Sequence, residues 1–261
     1  MPRRLPTRAL PALAAALPFA AALAAPAQRY EGIAHALRGG ELLYREVHYR
    51  YAAEDGARHL VLYRCPDAGA FARKLLHEAP SPSTPDFDFV DARSGYREGV
   101  RREGTLWHVY VQDGTGAPLR SKQLPVRAEA VIDAGFDHYV RSHWDALGRG
   151  VAHVPFLLPS RLGYVDIALS DAREAIEDGQ AVRRLRMRLD AWYAFVAPVI
   201  HLAYTVEPRR LRAFEGIGSI RDGDGRHRAV RIEFPPAART EVPQAEIEAA
   251  LAEPLDGRCA T

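Results

Sequence analysis

The sequence predicts a mainly β (α+β) fold in which a long curved antiparallel sheet, or a partial barrel, wraps one central helix. Three observations predict it. About ten short segments alternate apolar and polar residues with period two, which is typical of half-buried strands. Turn residues separate them at hairpin spacing, and one stretch near the middle of the chain has strong helical periodicity. A sheet with so many strands is expected to curl or close, because flat open sheets of that size are rare and leave exposed edges.

Length and composition restrict the class of protein. The chain has 261 residues, 48% of them apolar and 26% charged, which is ordinary for a globular domain that buries a core. The net charge is +2, and it becomes −1 without the three arginines of the first 27 residues, so nothing favours a nucleic-acid partner. No apolar run beyond the N-terminus is long enough to cross a bilayer, so an integral membrane protein is not expected.

The first 27 residues have the three parts of a secretory signal peptide. Arg3, Arg4 and Arg8 form a basic start, residues 9–23 are almost wholly apolar, and Ala25-Pro26-Ala27 offers a small-x-small cleavage site. An uncleaved anchor helix is the alternative, and the prolines within the apolar stretch disfavour it. The sequence therefore predicts a soluble, periplasmic protein, exported and cleaved near Ala27.

Strands dominate the first half of the remaining chain. Glu54-Asp55-Gly56 indicates a hairpin turn, because Asp-Gly tolerates the positive φ that tight turns need. The strands predicted here cover residues 30–37, 43–51, 59–65, 71–77, 87–90, 99–102 and 106–111. Proline-rich residues 79–85 are interpreted as an exposed connection within one domain, because the same alternation resumes after them.

The period changes at Val126. Apolar residues then recur at spacings of four, four, four and three, which places them on one helical face. These residues are Ile132, Phe136, Val140, Trp144 and Leu147. Glycines at 148 and 150 supply a stop, so the central helix is predicted over about 126–148.

Strands return in the second half, predicted over residues 151–158, 164–169, 181–189, 200–205, 211–214 and 228–234. A single β-rich domain is thus expected over 28–236, followed by a loosely ordered tail over 237–261 with one weak helix near 245–252. Cys65 and Cys259 are compatible with a disulfide in an oxidising compartment. The alternative is a buried strand thiol and a tail thiol, and the sequence does not decide between them.

Motifs for known chemistry are absent: there is no G-x-S-x-G, Walker-type, H-E-x-x-H or G-x-G-x-x-G pattern. No cofactor and no metal is predicted. Asp86, Asp88 and Asp91 have partial calcium-ligand spacing, but a solvated strand edge explains them better. His138 and Asp145 are the best acid–base candidates, against an exposed helix face as the alternative. No catalytic residue is assigned, and a non-enzyme is favoured.

An apolar ligand site is indicated by the aromatic stretch 192–200, which is interpreted either as a lip of a cavity or as core. The residues predicted to line such a cavity are Trp144, Phe156, Tyr164, Trp192 and Phe195. Arg184, Arg186 and Arg188 alternate along one strand, which suits contact with anionic groups. The alternative for this row is an arginine-rich outer strand that keeps the sheet soluble.

Four blocks of the sequence resemble recurring blocks of uncharacterised exported proteins of proteobacteria. They are Gly135-Phe136-Asp137-His138-Tyr139-Val140, Trp144-Asp145-Ala146-Leu147, Pro159-Ser160-Arg161-Leu162 and residues 214–222. The layout of a signal peptide, a curved sheet and a helix is also similar to periplasmic half-barrel proteins such as the lipoprotein carriers LolA and LolB. That resemblance implies an apolar cavity under the sheet and assigns no residues.

The sequence thus favours a soluble periplasmic binding or carrier protein for an apolar or amphipathic, lipid-like ligand. Its expected partner is a hydrophobic small molecule or lipid. The alternative is a non-enzymatic cell-envelope assembly or structural factor that contacts an envelope protein through a surface patch or a sheet edge.

Overall fold

The fold is a single large antiparallel sheet, seen in a computed structural model that describes residues 26–67, 69–190 and 198–259. Within these residues the strands are β1 (Ala27–Ala36), β2 (Leu42–Ala53), β3 (Gly56–Arg64), β4 (Ala70–His77), β5 (Asp86–Asp91), β6 (Tyr96–Glu103), β7 (Leu106–Gln112), β8 (Arg120–Pro125), β9 (Val131–Ile132), β10 (Ala152–Leu158), β11 (Gly163–Glu177), β12 (Gln180–Leu189), β13 (Ile200–Thr205), β14 (Arg210–Arg221), β15 (His227–Glu233) and β16 (Thr240–Val242). The helices are α1 (Gly135–Ser142), α2 (Trp144–Leu147) and α3 (Gln244–Ala252). The mainly β class is confirmed.

Strand β1 lies at the centre of the sheet and joins its two halves. The N-terminal half runs outward from β1 to β8 in chain order, and the C-terminal half runs from β15 back to β9. Neighbouring strands are antiparallel except for the short parallel pair β9–β10. Beside β15, the strand β16 pairs with the start of β1. The β1–β15 pair thus joins two series of hairpins into one sheet, whose ends are β8 and β9.

The sheet is strongly curved, so its two outer ends approach each other. Trp107 of β7 and Leu157 of β10 belong to one apolar cluster, although they lie near opposite ends of the strand order. The backbone N–H of Ile132 donates to the carbonyl of Ser83 at 3.0 Å. The Tyr164 hydroxyl donates to the carbonyl of Pro125 at 2.9 Å. These contacts confirm the predicted curvature.

Three apolar clusters stabilise this arrangement. The central cluster, containing Trp107 and Leu157, joins the two halves. The helix cluster, containing Val140, packs α1 and α2 against the C-terminal half. The C-terminal cluster, containing Leu62 and Ile247, packs α3 on the opposite face of β2 and β3. Both faces of these two strands are therefore covered.

The predicted helix over 126–148 is wrong in its extent. Helix α1 begins at Gly135, and α2 follows it after a break at His143, whose φ is −103° and ψ is 19°. Residues before Gly135 are held instead by strand pairing of β9 and by the bond from Ile132 to Ser83. A Cβ at Gly135 would lie 2.2 Å from the Ser83 carbonyl oxygen, so only glycine permits this approach. Tertiary backbone pairing thus overrides the helical pattern.

The C-terminal segment is not the loosely ordered tail that the sequence suggested. Helix α3 forms where a weak helix was predicted, and it buries Ile247 and Ala250. Beyond the helix, the N–H of Gly257 donates to the Ala70 carbonyl at 2.9 Å. Cys259 forms a disulfide with Cys65 across a sequence separation of 194 residues. Apolar burial and a covalent bond therefore order a segment whose composition alone looked weakly structured.

Candidate functional site

The aromatic residues predicted to line a cavity have other environments. Trp144 is buried, with the Tyr204 ring centroid 6.2 Å away and the Arg183 guanidinium 4.1 Å from its ring. Phe156 is half-buried and packs against the same helix cluster. Tyr164 instead packs against the central cluster, with its ring under Arg127. These three side chains therefore do not converge on one space.

The predictions for Trp192 and Phe195 lie outside the described residues, which omit 191–197.

The arginine row has a clearer outcome. Arg184, Arg186 and Arg188 are all exposed on the outer face of β12. Arg184 and Arg186 line an open trough of about 1020 Å³ across β11–β15, whereas Arg188 is not among its lining residues. The structure therefore joins two of the three predicted arginines to one concave surface, which we call the outer trough.

Two cross-strand rows form the floor of the outer trough. In one row the register aligns Arg186, His201, Glu215 and Arg231 across β12–β15. In the other it aligns Arg184, Ala203, Ala213 and Glu233. Residues opposed in this way lie on the same face of a sheet. Apolar lining is added by Ala203, Ala213, Phe234, Pro235 and Pro236. The side chains of Leu185 and Leu202 lie on the opposite face, where they are buried in the helix cluster.

Ion pairs neutralise several guanidinium groups of the trough. Arg184 Nε lies 2.7 Å from Glu177 Oε1, and Arg231 Nε lies 2.8 Å from Glu233 Oε1. The side chain of Arg184 is 67% exposed, so its pair is an ordinary surface pair. Such pairs contribute only about 0–1 kcal/mol, and an anionic ligand therefore competes for the guanidinium at little cost.

A buried polar chain crosses the interior behind β1, β2 and β3. His48 Nε2 lies 3.1 Å from Glu46 Oε2, and His48 Nδ1 lies 3.0 Å from His59 Nε2. The Tyr30 ring stacks on His48 at 4.5 Å between centroids, and its hydroxyl lies 3.4 Å from His59 Nε2. Among the described residues His59 Nδ1 has no hydrogen-bond partner, and it lies 3.8 Å from Glu78 Oε1.

Burial controls the protonation of this chain. It lowers the pKa of His48 in spite of the hydrogen bond with Glu46. It lowers the pKa of His59 well below 6.5, helped by the positive charge of Arg50. Both imidazoles are therefore neutral near pH 7, which suits hydrogen bonding inside the fold.

A second buried polar group surrounds Lys74 of β4. Its ammonium lies 2.6 Å from Asp133 Oδ1 and 3.4 Å from the Ser219 hydroxyl. The Tyr96 hydroxyl donates to Glu98 at 2.8 Å, and burial raises the pKa of Glu98. These side chains, together with the packed central cluster, occupy the inner face on which a half-barrel carrier would hold its cargo.

Sequence reasoning missed both interior groups. The alternation of β2 places Glu46, His48 and Arg50 on one face, but it does not indicate that this polar face is buried. Val47 and Tyr49 could have indicated it, because apolar side chains on the other face of β2 must also be buried by some element. Helix α3 buries them.

Stability is expected to fall as pH decreases from about 6.5 to 5, because the unfolded state then binds protons that folded His48 and His59 do not. The raised pKa of Glu98 acts in the opposite sense at lower pH, since the folded state then gains a proton first. We expect His59→Gln to reduce the slope of unfolding free energy against pH in this window, measured by urea titration. Replacing exposed His153 by Gln is the control. Equal slopes in His59→Gln and the wild type would contradict the assignment.

The candidate acid–base pair does not assemble within the described residues. His138 lies on α1 and Asp145 on α2, and no hydrogen bond joins them. Asp145 is 77% exposed and lies 3.8 Å from Arg209. Neither residue lines the outer trough.

The aspartates of β5 are already engaged. Asp88 pairs with Arg101 and Asp91 with Arg93, while Asp86 accepts the backbone N–H of Arg102. In the described part of the chain, no three His, Cys, Asp or Glu side chains are grouped so as to hold a metal ion.

Helices of the described ranges are all too short or too polar to cross a bilayer.

Comparison with models of protein families, with curated proteins and with solved structures finds no match to this chain.

Proposed function

We propose that the protein is an exported, non-enzymatic binding or carrier protein that holds an elongated amphipathic ligand with an anionic group in the outer trough. The observation that carries this proposal is the trough of about 1020 Å³, in which exposed guanidinium groups lie beside alanine and proline residues on one concave surface. Ligand sites generally span about 300–1,000 Å³ and combine apolar walls with a few placed polar groups.

The chemistry of the lining supports this class of ligand. Guanidinium groups recognise carboxylate and phosphate through paired hydrogen bonds. Ala203, Ala213 and the two prolines 235 and 236 provide a small apolar surface beside them for a hydrocarbon portion. The filled interior supports placing the ligand on the outer face rather than under the sheet.

Export is supported by two features. The first 27 residues have the basic, apolar and small-residue parts of a signal peptide. The disulfide between Cys65 and Cys259 suits an oxidising compartment such as the periplasm.

Mass spectrometry of organic extracts from the mature protein, purified from the periplasm without detergent, tests the function. A stoichiometric amphipathic molecule with a carboxylate or phosphate is expected. A clean extract, from a folded protein that also fails to bind added dodecyl phosphate, would contradict the proposal.

Charge reversal in the trough gives a sharper test. We expect Arg184→Glu with Arg186→Glu to lower affinity for dodecyl phosphate about 10- to 100-fold, because two guanidinium contacts become repulsive. Isothermal titration below the critical micelle concentration measures it. The matched control is Arg188→Glu, a change on the same strand and the same face but outside the trough. An equal loss in the control would indicate a general effect of net charge instead of a site.

A second candidate, an envelope assembly factor, is favoured by strand β8. It is the outer strand of the N-terminal half, β7 is its one partner among the described strands, and five of its six residues are exposed. A free edge of this kind can accept a strand from a partner protein, although Arg120 and Lys122 oppose unspecific pairing. Site-specific crosslinking from β8 in cells, with capture of one defined envelope protein, would support it.

A further inference from the structure

A small pocket opens at one end of the outer trough, where β1, β13, β14 and the chain after β15 meet. Its volume is about 50 Å³, and we call it the end pocket. Lining shared with the trough is supplied by Gln180, Arg212, Phe234, Pro235 and Pro236. The two spaces are therefore adjacent, and a ligand in the trough can extend its end group toward the pocket.

Two arginines of the end pocket lack acidic partners. Arg239 is half-buried, and its guanidinium carbon lies 4.2 Å from the ring centroid of Tyr30. Among the described residues, no carboxylate oxygen lies within 4.0 Å of the Arg239 or Arg210 side-chain nitrogens. This distinguishes them from Arg184 and Arg212 of the trough, both of which pair with carboxylates.

One carboxylate, that of Glu31, also lines the end pocket, but it pairs with Arg29. The charges of Arg210 and Arg239 therefore favour an anion there. Burial lowers the pKa of Arg239, and the positive charges of Arg210 and Arg50 lower it further. Tyr30 and Asp137 act in the opposite direction. Arg50 is itself engaged by Glu78 at 3.1 Å. A partly buried cation without a counter-charge is costly, and an oxyanion in the pocket removes much of that cost.

The guanidinium of Arg239 is placed by ordered chain on both sides. A 3₁₀ turn at Pro236–Ala238 precedes it, and β16 follows it, with Thr240 opposite Arg29 of β1. The contact with the Tyr30 ring further limits its orientations. A donor held in this way loses little conformational freedom when it binds.

Size restricts the ligand group. A single water needs about 10–15 Å³ of such space, so the pocket has room for about three to five water-sized positions. That is the scale of a phosphate or carboxylate group. An aromatic ring or an acyl chain is too large and must lie in the trough.

We propose that the end pocket is an oxyanion subsite, in which Arg239 and Arg210 bind the phosphate or carboxylate head of the ligand that the outer trough holds. The identity of that ligand rests on the proposed function. Binding of a free oxyanion by the end pocket is independent of the proposed function, so the two proposals can be tested separately.

Isothermal titration of the mature protein with inorganic phosphate tests the subsite alone. Saturable binding is expected, with a loss of affinity of about tenfold or more in Arg239→Gln, because a charge-assisted contact is removed. Arg210→Gln provides a second variant if Arg239→Gln fails to fold, and circular dichroism verifies folding. Arg188→Gln is the control and is expected to bind like the wild type. Absence of phosphate binding, or equal affinity in wild type and both pocket variants, would overturn the subsite.

Titration with dodecyl phosphate and with neutral dodecyl maltoside separates the pocket from the trough. Tighter binding of dodecyl phosphate than of phosphate, reduced by Arg239→Gln, supports both. Phosphate binding that depends on Arg239, without any gain from the dodecyl chain, supports the subsite and overturns the trough ligand. A preference for dodecyl phosphate over dodecyl maltoside that is lost in Arg184→Glu with Arg186→Glu but unchanged in Arg239→Gln supports the trough and overturns the subsite. Equal binding of both amphiphiles overturns both.

Discussion

Replacing Cys259 by Ala is expected to lower the free energy of unfolding by about 2–5 kcal/mol, the range typical for loss of a native disulfide. The bond to Cys65 closes a loop spanning a sequence separation of 194 residues, nearly the whole described chain. Opening so long a loop increases the freedom of the unfolded state. The effect is expected to be large because the same bond ties the C-terminal segment to β3 and β4.

The native contacts of the C-terminal segment explain why loss of the disulfide should also destabilise β2 and β3. Ile247 is fully buried against β2 and β3. Glu253 pairs with Arg64, and its carbonyl oxygen accepts a hydrogen bond from Arg73 at 2.5 Å. Release of the segment uncovers the outer face of these strands, and apolar surface returns to water.

Urea unfolding of wild type, Cys259→Ala and Cys65→Ala measures the effect. Cys259→Ala is the cleaner variant, because Cys65 is buried and its replacement also leaves a small cavity. Reduction of the wild type should reproduce the loss, and the same reductant should leave Cys259→Ala unchanged. A change below about 0.5 kcal/mol in Cys259→Ala would show that the segment is held without the bond.

Local patterns predicted the strands well and the contacts between distant segments poorly. Alternation located β2, β3 and β12 because their side chains face two different environments. Strand β8 was missed because only Leu124 is buried in it, so it shows no alternation. The start of the predicted helix failed at Ile132, where a backbone bond to Ser83, far away in sequence, decides the conformation.

The sequence predicted two of the arginines that line the candidate site, but it did not predict the shape of the site. The spacing of Arg184 and Arg186 placed both on one outward face, which the structure confirms. The trough depends on how β12–β15 curve together, and no local pattern encodes that curvature. The unpaired state of Arg239 likewise depends on which carboxylates other strands bring near, a property of the tertiary fold.

Replacing Lys74 by Met is expected to be the most destabilising single change in the interior, at about 3–5 kcal/mol. Lys74 Nζ lies 2.6 Å from Asp133 Oδ1, and the two side chains are only 5% and 16% exposed. The second oxygen, Asp133 Oδ2, has no hydrogen-bond partner in the part of the chain that the structure describes. Removal of the ammonium leaves this carboxylate buried without compensation, and it also removes the positive charge that lowers the pKa of Glu98.

The chain contains one other lysine, and it provides the matched control. Lys122 is exposed on β8, so Lys122→Met should change the free energy of unfolding by less than about 0.5 kcal/mol. Asp133→Asn tests the partner, since asparagine tolerates the φ of 45° at that position. The double variant Lys74→Met with Asp133→Asn should lose less free energy of unfolding than the two single variants together, by about 1 kcal/mol or more. Each single variant leaves one buried charge without its partner, and the double variant leaves none. Additive losses, or a Lys74→Met variant as stable as Lys122→Met, would mean that water or another residue compensates Asp133, and that the interior polar groups are solvated in spite of their burial.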